Sequence, residues 1–150
     1  MELKIPPVLL TVLFCLLMWL VSGLTPGIDI PAGLKIAGLL IFSGIAAYVG
    51  VAAVLPFRKS ATTVNPMKPE ASSALVTSGI FRRSRNPMYL ALLLFLIGWG
   101  IYLSNLYSLL AVAVFVLYLT HFQIRVEERV LERLFGAEFN DYKKRVRRWI

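Results

Sequence analysis

Asn86-Pro87-Met88-Tyr89-Leu90-Ala91-Leu92-Leu93-Leu94-Phe95-Leu96-Ile97-Gly98-Trp99-Gly100-Ile101-Tyr102-Leu103-Ser104-Asn105-Leu106-Tyr107-Ser108-Leu109-Leu110-Ala111-Val112-Ala113-Val114-Phe115-Val116-Leu117-Tyr118-Leu119-Thr120 is a run of 35 residues without one Asp, Glu, Lys, Arg or His. Arg82, Arg83 and Arg85 crowd its start; His121, Arg125, Glu127, Glu128 and Arg129 crowd its end. Lipid is the environment such a run requires, yet as one helix it would be about 52 Å long, against a hydrocarbon core of roughly 30 Å. It therefore has to fold back, and Ser104-Asn105 is the only polar break near its middle. The hairpin returns the Asn-Pro segment and the Glu-Glu segment to one membrane face, side by side.

The rest of the chain reads the same way. Of its 150 residues 58% are hydrophobic, with a mean hydropathy of +0.73, which points to a small all-α integral membrane protein. Four spans are expected, at about 7–24, 36–57, 87–103 and 106–122, within a single domain over 1–150. They leave a cytoplasmic loop at 58–86 and a tail at 123–150 built of amphipathic interfacial helices. Glu2 and Lys4 make a weak start for a cleavable signal, and no clear small-x-small site follows Leu9–Leu20 before Pro26. The first segment is thus expected to be an ordinary transmembrane helix. Cys15, alone in its middle, reads as a small core residue.

Orientation follows from Lys and Arg. The 25–35 loop holds Lys35 against Asp29, whereas Arg58, Lys59, Lys68, Arg82, Arg83 and Arg85 lie between the second and third spans. Eight more lie beyond His121. Both termini and the 58–85 loop are expected in the cytoplasm, in a prokaryote's inner membrane. The net charge of +8 suits an anionic inner leaflet; no nucleic-acid role is expected. Gly38, Gly44 and Gly50 inside the second span read as packing positions. The Asn65-Pro66-Met67-Lys68-Pro69 stretch reads as an ordered gate, its prolines forcing extended geometry on their neighbours.

In the tail, Gly136 is expected to separate two helices. Phe139, Tyr142, Val146 and Trp149 then share one face of the second, which is expected to lie at the membrane surface. On the first, Ile124, Val130, Leu131 and Leu134 form an apolar face opposite Arg125, Arg129, Glu132 and Arg133. Glu128 sits at the edge, within reach of Arg125 or Arg129. Glu127 falls in the centre of the apolar face, where a carboxylate is costly unless it meets a cation or several donors. A loop arginine (Arg82 or Arg85) or a cationic or hydroxyl-rich ligand would answer that need. Pro87 fits the first turn of a helix, which makes Asn86 the N-cap and leaves free N–H groups at the start.

The order Ser78-Gly79-Ile80-Phe81-Arg82, Arg85-Asn86-Pro87-Met88-Tyr89, a hairpin, then Glu127-Glu128, Leu131, Phe135-Gly136 and Tyr142 resembles the isoprenylcysteine carboxyl methyltransferase and phospholipid methyltransferase superfamily, over about 63–150. Asn86 replaces the histidine usual in the prenylcysteine enzymes, Arg147-Arg148 replaces the usual Pro-Arg, and no Gly-x-Gly lies between Ile36 and Gly79. The resemblance implies S-adenosyl-L-methionine at the cytoplasmic end of the hairpin and a lipophilic acceptor entering from the bilayer. Its cofactor residues would be Ser78, Gly79, Arg85, Asn86, Pro87, Met88, Tyr89, Glu127 and Glu128, with Glu127 and Arg85 nearest the chemistry. Glu127 and Glu128 suit the cofactor's ammonium or ribose diol; Arg85 and the helix start at Asn86 suit its carboxylate. Asn65, Phe81 and Trp149, with Tyr89 and Phe122, would line the acceptor's approach.

Methyl transfer is an in-line displacement that asks for alignment in a dry site more than for acid–base work. No metal-ligand cluster is expected, and His121 reads as an interfacial residue. A prenylcysteine carboxylate and a phospholipid amine both suit as acceptors. A non-catalytic membrane partner and a small transporter are the rivals of another class. Transporters usually place an acid inside a span, and none of the four has one.

Overall fold

The computed structural model describes residues 5–59 and 73–150, all helix, turn and connecting segments without a strand among them. The proposed gate at Asn65–Pro69 lies outside the described residues. The first helix, α1 (Pro7–Leu24), starts with proline in its first turn. The second, α2 (Ala32–Lys59), is longer at both ends than the 36–57 expected and carries Pro56 in its last turn. Both turn large apolar side chains outward, among them Leu13, Leu17, Leu40, Ile41 and Val51. In water such a surface would be a liability; in lipid it is the solvated face. Together with α1, α2 and a third long helical run, this architecture is that of an integral membrane protein.

The hairpin folds where its polar break predicts. Helix α3 (Pro87–Leu103) ends at Ser104, whose φ of 52° is left-handed. Asn105 then caps α4 (Leu106–Tyr118) by accepting from the Ser108 N–H at 2.9 Å. The Asn105 amide also donates to Thr25 Oγ1 at 2.8 Å and to the Pro26 carbonyl at 3.2 Å. A buried polar turn is thereby satisfied by the end of α1, which fixes α1 against the hairpin. Leu10, Phe14 and Met18 of α1 pack with Tyr89 and Leu96 of α3 and Ala111 and Phe115 of α4. Phe14 meets Phe115 edge-on at 5.2 Å.

Helices α2 and α3 approach through glycine. A Cβ on Gly38 would stand 2.7 Å from Ile101 Cγ2, and one on Gly98 would stand 2.7 Å from Phe42 Cβ. Gly44 has nothing within 4 Å, so it is not a packing position within this chain. The Gly98-Trp99-Gly100 string is packing, with Trp99 donating to the Cys15 carbonyl.

Beyond α4 the structure corrects the expected tail. The helix does not stop at 122 but continues through a π turn (Leu119–Ile124) into α5 (Arg125–Arg145). The whole run of 40 residues would be about 60 Å long, so its charged second half leaves the bilayer. Gly136 leaves helical geometry (φ 50°, ψ −118°) and divides α5 into two helical pieces, as the sequence predicts. Phe139, Tyr142 and Val146 are buried against Val76 and Phe81 of this chain, not laid on a membrane surface. The aromatic stripe the sequence shows is an internal packing seam. It docks α5 onto the segment that precedes α3.

Candidate functional site

Arg85 and Glu128 meet where α3 begins and α5 leaves the bundle. Arg85 Nη2 donates to Glu128 Oε1 at 2.9 Å, and both side chains are nearly buried. Its other terminal nitrogen donates to the carbonyls of Lys143 and Val146, each at 3.0 Å. Its backbone N–H donates to the Arg147 carbonyl. Arg148 completes the grouping, reaching Glu128 Oε1 at 3.1 Å and Oε2 at 2.7 Å in a fork. Asn86 Nδ2 donates to the Arg148 carbonyl at 2.9 Å. The chain end is thus clamped across the start of α3. Burial pulls the Glu128 carboxyl up, but Arg148 and Arg85 more than offset it and hold the group below the usual carboxylate range. Arg85 Nε is buried without a partner among the described residues.

This corrects two expectations. Glu128 is engaged by Arg85 and Arg148 from elsewhere in the chain, not by Arg125 or Arg129 on its own helix. Glu127 pairs with neither Arg82 nor Arg85: Tyr89 Oη and Gln123 Nε2 both donate to its Oε1, the second at 2.9 Å. Burial pushes the Glu127 carboxyl up to about 7 despite these two donors, and the Glu128 charge adds to the rise. A carboxyl poised there is ionised or protonated according to its surroundings, and neither bond uses Oε2. Asn86 stands before Pro87, as the sequence predicts, yet its side chain makes no cap; it is turned to Arg148, while its own N–H donates to Ser84 Oγ at 3.1 Å. The first turn of α3 therefore keeps its unsatisfied N–H groups from any Asn86 cap.

The remaining residues divide. Pro87 and Tyr89 are buried and Met88 is half-buried at the foot of α3. Phe81 is buried in the α5 seam, edge-on to Phe57, and its carbonyl accepts from Tyr142 Oη at 2.7 Å; it props the site rather than lining an approach. Trp149 packs on the bundle core and reaches Thr120 Oγ1 at 3.4 Å. Ser78 and Gly79 are exposed at the start of a 3-10 turn (Gly79–Arg82), and Ser78 lines a separate cleft with Thr77, Arg82, Tyr142, Arg145 and Val146. Val146 alone joins this cleft to the clamp.

Sequence reasoning missed Gln123 and the role of Arg148. Gln123 is fully buried in the π turn, a local geometry that recurs at functional sites. Its signal was available: it is the one carboxamide at the end of the fourth apolar stretch, four residues before Glu127. Arg148 gave none, because its partner lies 20 residues away.

Comparison with known proteins gives this arrangement a family. The model for phospholipid methyltransferases matches residues 34–138. An uncharacterized protein of Haemophilus influenzae is 48% identical over 63 residues, which is 42% of this chain and all of that protein. Protein-S-isoprenylcysteine O-methyltransferase of Saccharomyces cerevisiae is 38% identical over 82 residues, covering 53% of this chain and 33% of the yeast protein. Protein-S-isoprenylcysteine O-methyltransferase B of Arabidopsis thaliana is 31% identical over 94 residues, 63% of this chain and 48% of the plant protein. The chain thus spans a third to a half of the length of the named relatives. No solved structure matches it. The chain belongs to the phospholipid methyltransferase family.

Proposed function

We propose that this methyltransferase of the isoprenylcysteine and phospholipid class uses S-adenosyl-L-methionine to methylate a lipophilic acceptor at the cytoplasmic membrane face. The observation that carries the reading is the meeting of Arg85 and Tyr89, at the start of the hairpin, with Glu127 and Glu128 after it. The donor set fits that cofactor: a carboxyl whose two donors both use Oε1, a buried guanidinium N–H without a partner among the described residues, and a helix start without a side-chain cap match its ammonium, carboxylate and diol. When bound, the cofactor supplies an electrophilic methyl group on a sulfonium.

The residues of this chain hold and orient. Glu127, once ionised, binds a cation or a diol through Oε2, with Tyr89 and Gln123 fixing its rotamer through Oε1. Arg85 offers Nε to an anion while its other nitrogens anchor the chain end, so it serves as a binding and positioning group and transfers no proton. Ser78 and Gly79 contribute through the turn that carries Phe81 to Arg85. The Arg148–Glu128 fork and Trp149 close the site from the tail and exclude water. Both termini and the 58–85 loop lie in the cytoplasm of this reading, with four spans, the short α3 among them. The acceptor reaches the site laterally, past Trp149.

A prenylated cysteine carboxylate is the first acceptor class, supported by the names of the yeast and plant relatives. A phospholipid amine is the second, supported by the family description. Purified protein should bind S-adenosyl-L-methionine in titration calorimetry. In liposomes with methyl-labelled cofactor, label should partition into the lipid or prenyl-thiol fraction. Label confined to water-soluble products would refute lateral access, and absence of binding would refute the cofactor.

A further inference from the structure

The cleft on the far side of Val146 has chemistry of its own. It encloses about 410 Å³ between the 3-10 turn and the end of α5, lined by Thr77, Ser78, Arg82, Tyr142, Arg145 and Val146. Tyr142 is committed, its hydroxyl donating to the Phe81 carbonyl at 2.7 Å. The rest of the lining is rich in uncommitted donors. Thr77 and Ser78 make no side-chain hydrogen bond among the described residues, and Arg82 no ion pair. Arg145 uses only Nε, on the Asp141 carbonyl, while the nearest acid, Asp141, is bonded to Lys144 at 2.9 Å. Two guanidinium groups and two hydroxyls therefore line one opening, with no carboxylate among the described residues that line it.

Its depth says where the acceptor would come from. Gly79 lies 3.4 Å, measured from a Cβ built on it, from Pro56 Cγ in the last turn of α2, and Phe81 packs edge-on to Phe57. The cleft thus sits beside the end of a hydrophobic helix, where a bilayer presents headgroup phosphates. Arginine forks match phosphate oxygens, and hydroxyls supply the remaining donors. We infer that the Thr77–Ser78–Arg82–Arg145 cleft is an oxyanion site that binds the phosphate of an anionic membrane lipid. The cleft shares Val146 with the clamp and Ser78 with the turn that leads to Arg85, and lipid retention is read separately from methyl transfer.

The test is native mass spectrometry of the detergent-purified full chain titrated with phosphatidylglycerol, phosphatidylcholine or inorganic phosphate. The wild type should retain phosphatidylglycerol in preference to phosphatidylcholine. Each of Arg82→Ala and Arg145→Ala should weaken that retention about fivefold. Arg83→Ala with Arg133→Ala, which removes two exposed charges outside the cleft lining, should leave it unchanged. Thermal unfolding equal to wild type certifies that the exposed-arginine variants are folded. Inorganic phosphate retained by the wild type and lost in Arg82→Ala, without lipid preference, would keep the oxyanion site and assign it free phosphate. Equal retention of every probe by the wild type and Arg82→Ala/Arg145→Ala would overturn the inference, as would an equal loss in the Arg83/Arg133 control.

Discussion

Replacing Glu127 by glutamine isolates the charge at the centre of the site while keeping its shape. Its carboxyl is pushed up to about 7 by burial, so near neutrality the free protein holds it about half ionised. A cationic ligand group binds only the ionised form. Cofactor affinity should therefore rise close to tenfold per pH unit below 7 and level off above. Losing a charge-assisted contact costs about 1.5–3 kcal/mol, or roughly 10- to 150-fold in Kd. Glu127→Gln should show that loss at pH 8 and a flat profile across the same window. Glu132→Gln is the control, since Glu132 is exposed and bonded to Lys143 at 3.1 Å. The same shift fixes a stability sign. The folded pKa lies above the ordinary 4.5, so this contribution is intact below pH 4.5 and lost as pH rises through about 7. At pH 8 the ionised carboxyl costs the fold up to ~3 kcal/mol, and Glu127→Gln should unfold later than wild type. Titration calorimetry across pH 5.5–8.5 decides it. Equal affinities for the Glu127 and Glu132 variants, or an unchanged pH slope in Glu127→Gln, would refute the reasoning.

Gln123→Leu removes one of the two donors that hold Glu127 ionised, so the midpoint of the affinity–pH curve should move upward; the same titration reads it. Arg85→Ala breaks a nearly buried pair and two further side-chain anchors of the chain end, to the Lys143 and Val146 carbonyls; about 3 kcal/mol should be lost, and trypsin should cut at 143–148 far faster than in Lys144→Ala. Because Glu128 is held below the usual range by Arg148 and Arg85, the clamp's contribution is present above about pH 4.5 and lost as pH falls through the depressed value, which proteolysis across acid pH would trace. Gly98→Ala should destabilise the α2–α3 contact by about 1–3 kcal/mol because its new Cβ meets Phe42 at 2.7 Å, whereas Gly44→Ala should leave thermal unfolding unchanged.

How much of this was legible in the sequence depends on what each signal measures. The hairpin was legible because two lengths decide it, that of the apolar run and that of a bilayer core; the Ser104-Asn105 turn then had no competitor. Helix ends were less so. The sequence reading placed the fourth span at 106–122 and the tail helices after it, whereas backbone hydrogen bonding continues through Leu119–Ile124 into α5 without regard to where lipid ends. A π turn has no compositional mark, and its extra residue rotates everything after it relative to a regular wheel.

The two glutamates show the same limit at the level of single residues. A helical wheel identified Glu127 as a carboxylate on a dry face, which is a statement about one helix, and the structure finds it among Tyr89, Gln123 and the bundle core. The wheel offered Glu128 only neighbours on its own helix, and its partners come instead from 43 and 20 residues away. Likewise Phe139, Tyr142 and Val146 share a face, as their spacing says, but that face is dried by Val76 and Phe81 and not by lipid. Periodicity reports that a surface is shielded from water; it carries no information on what shields it. In a membrane protein the ambiguity is acute, because lipid and protein interior ask for the same side chains. The exception is charge: a group lipid would not tolerate must find protein or ligand. That is why Glu127 could be singled out from sequence while the aromatic stripe was misread.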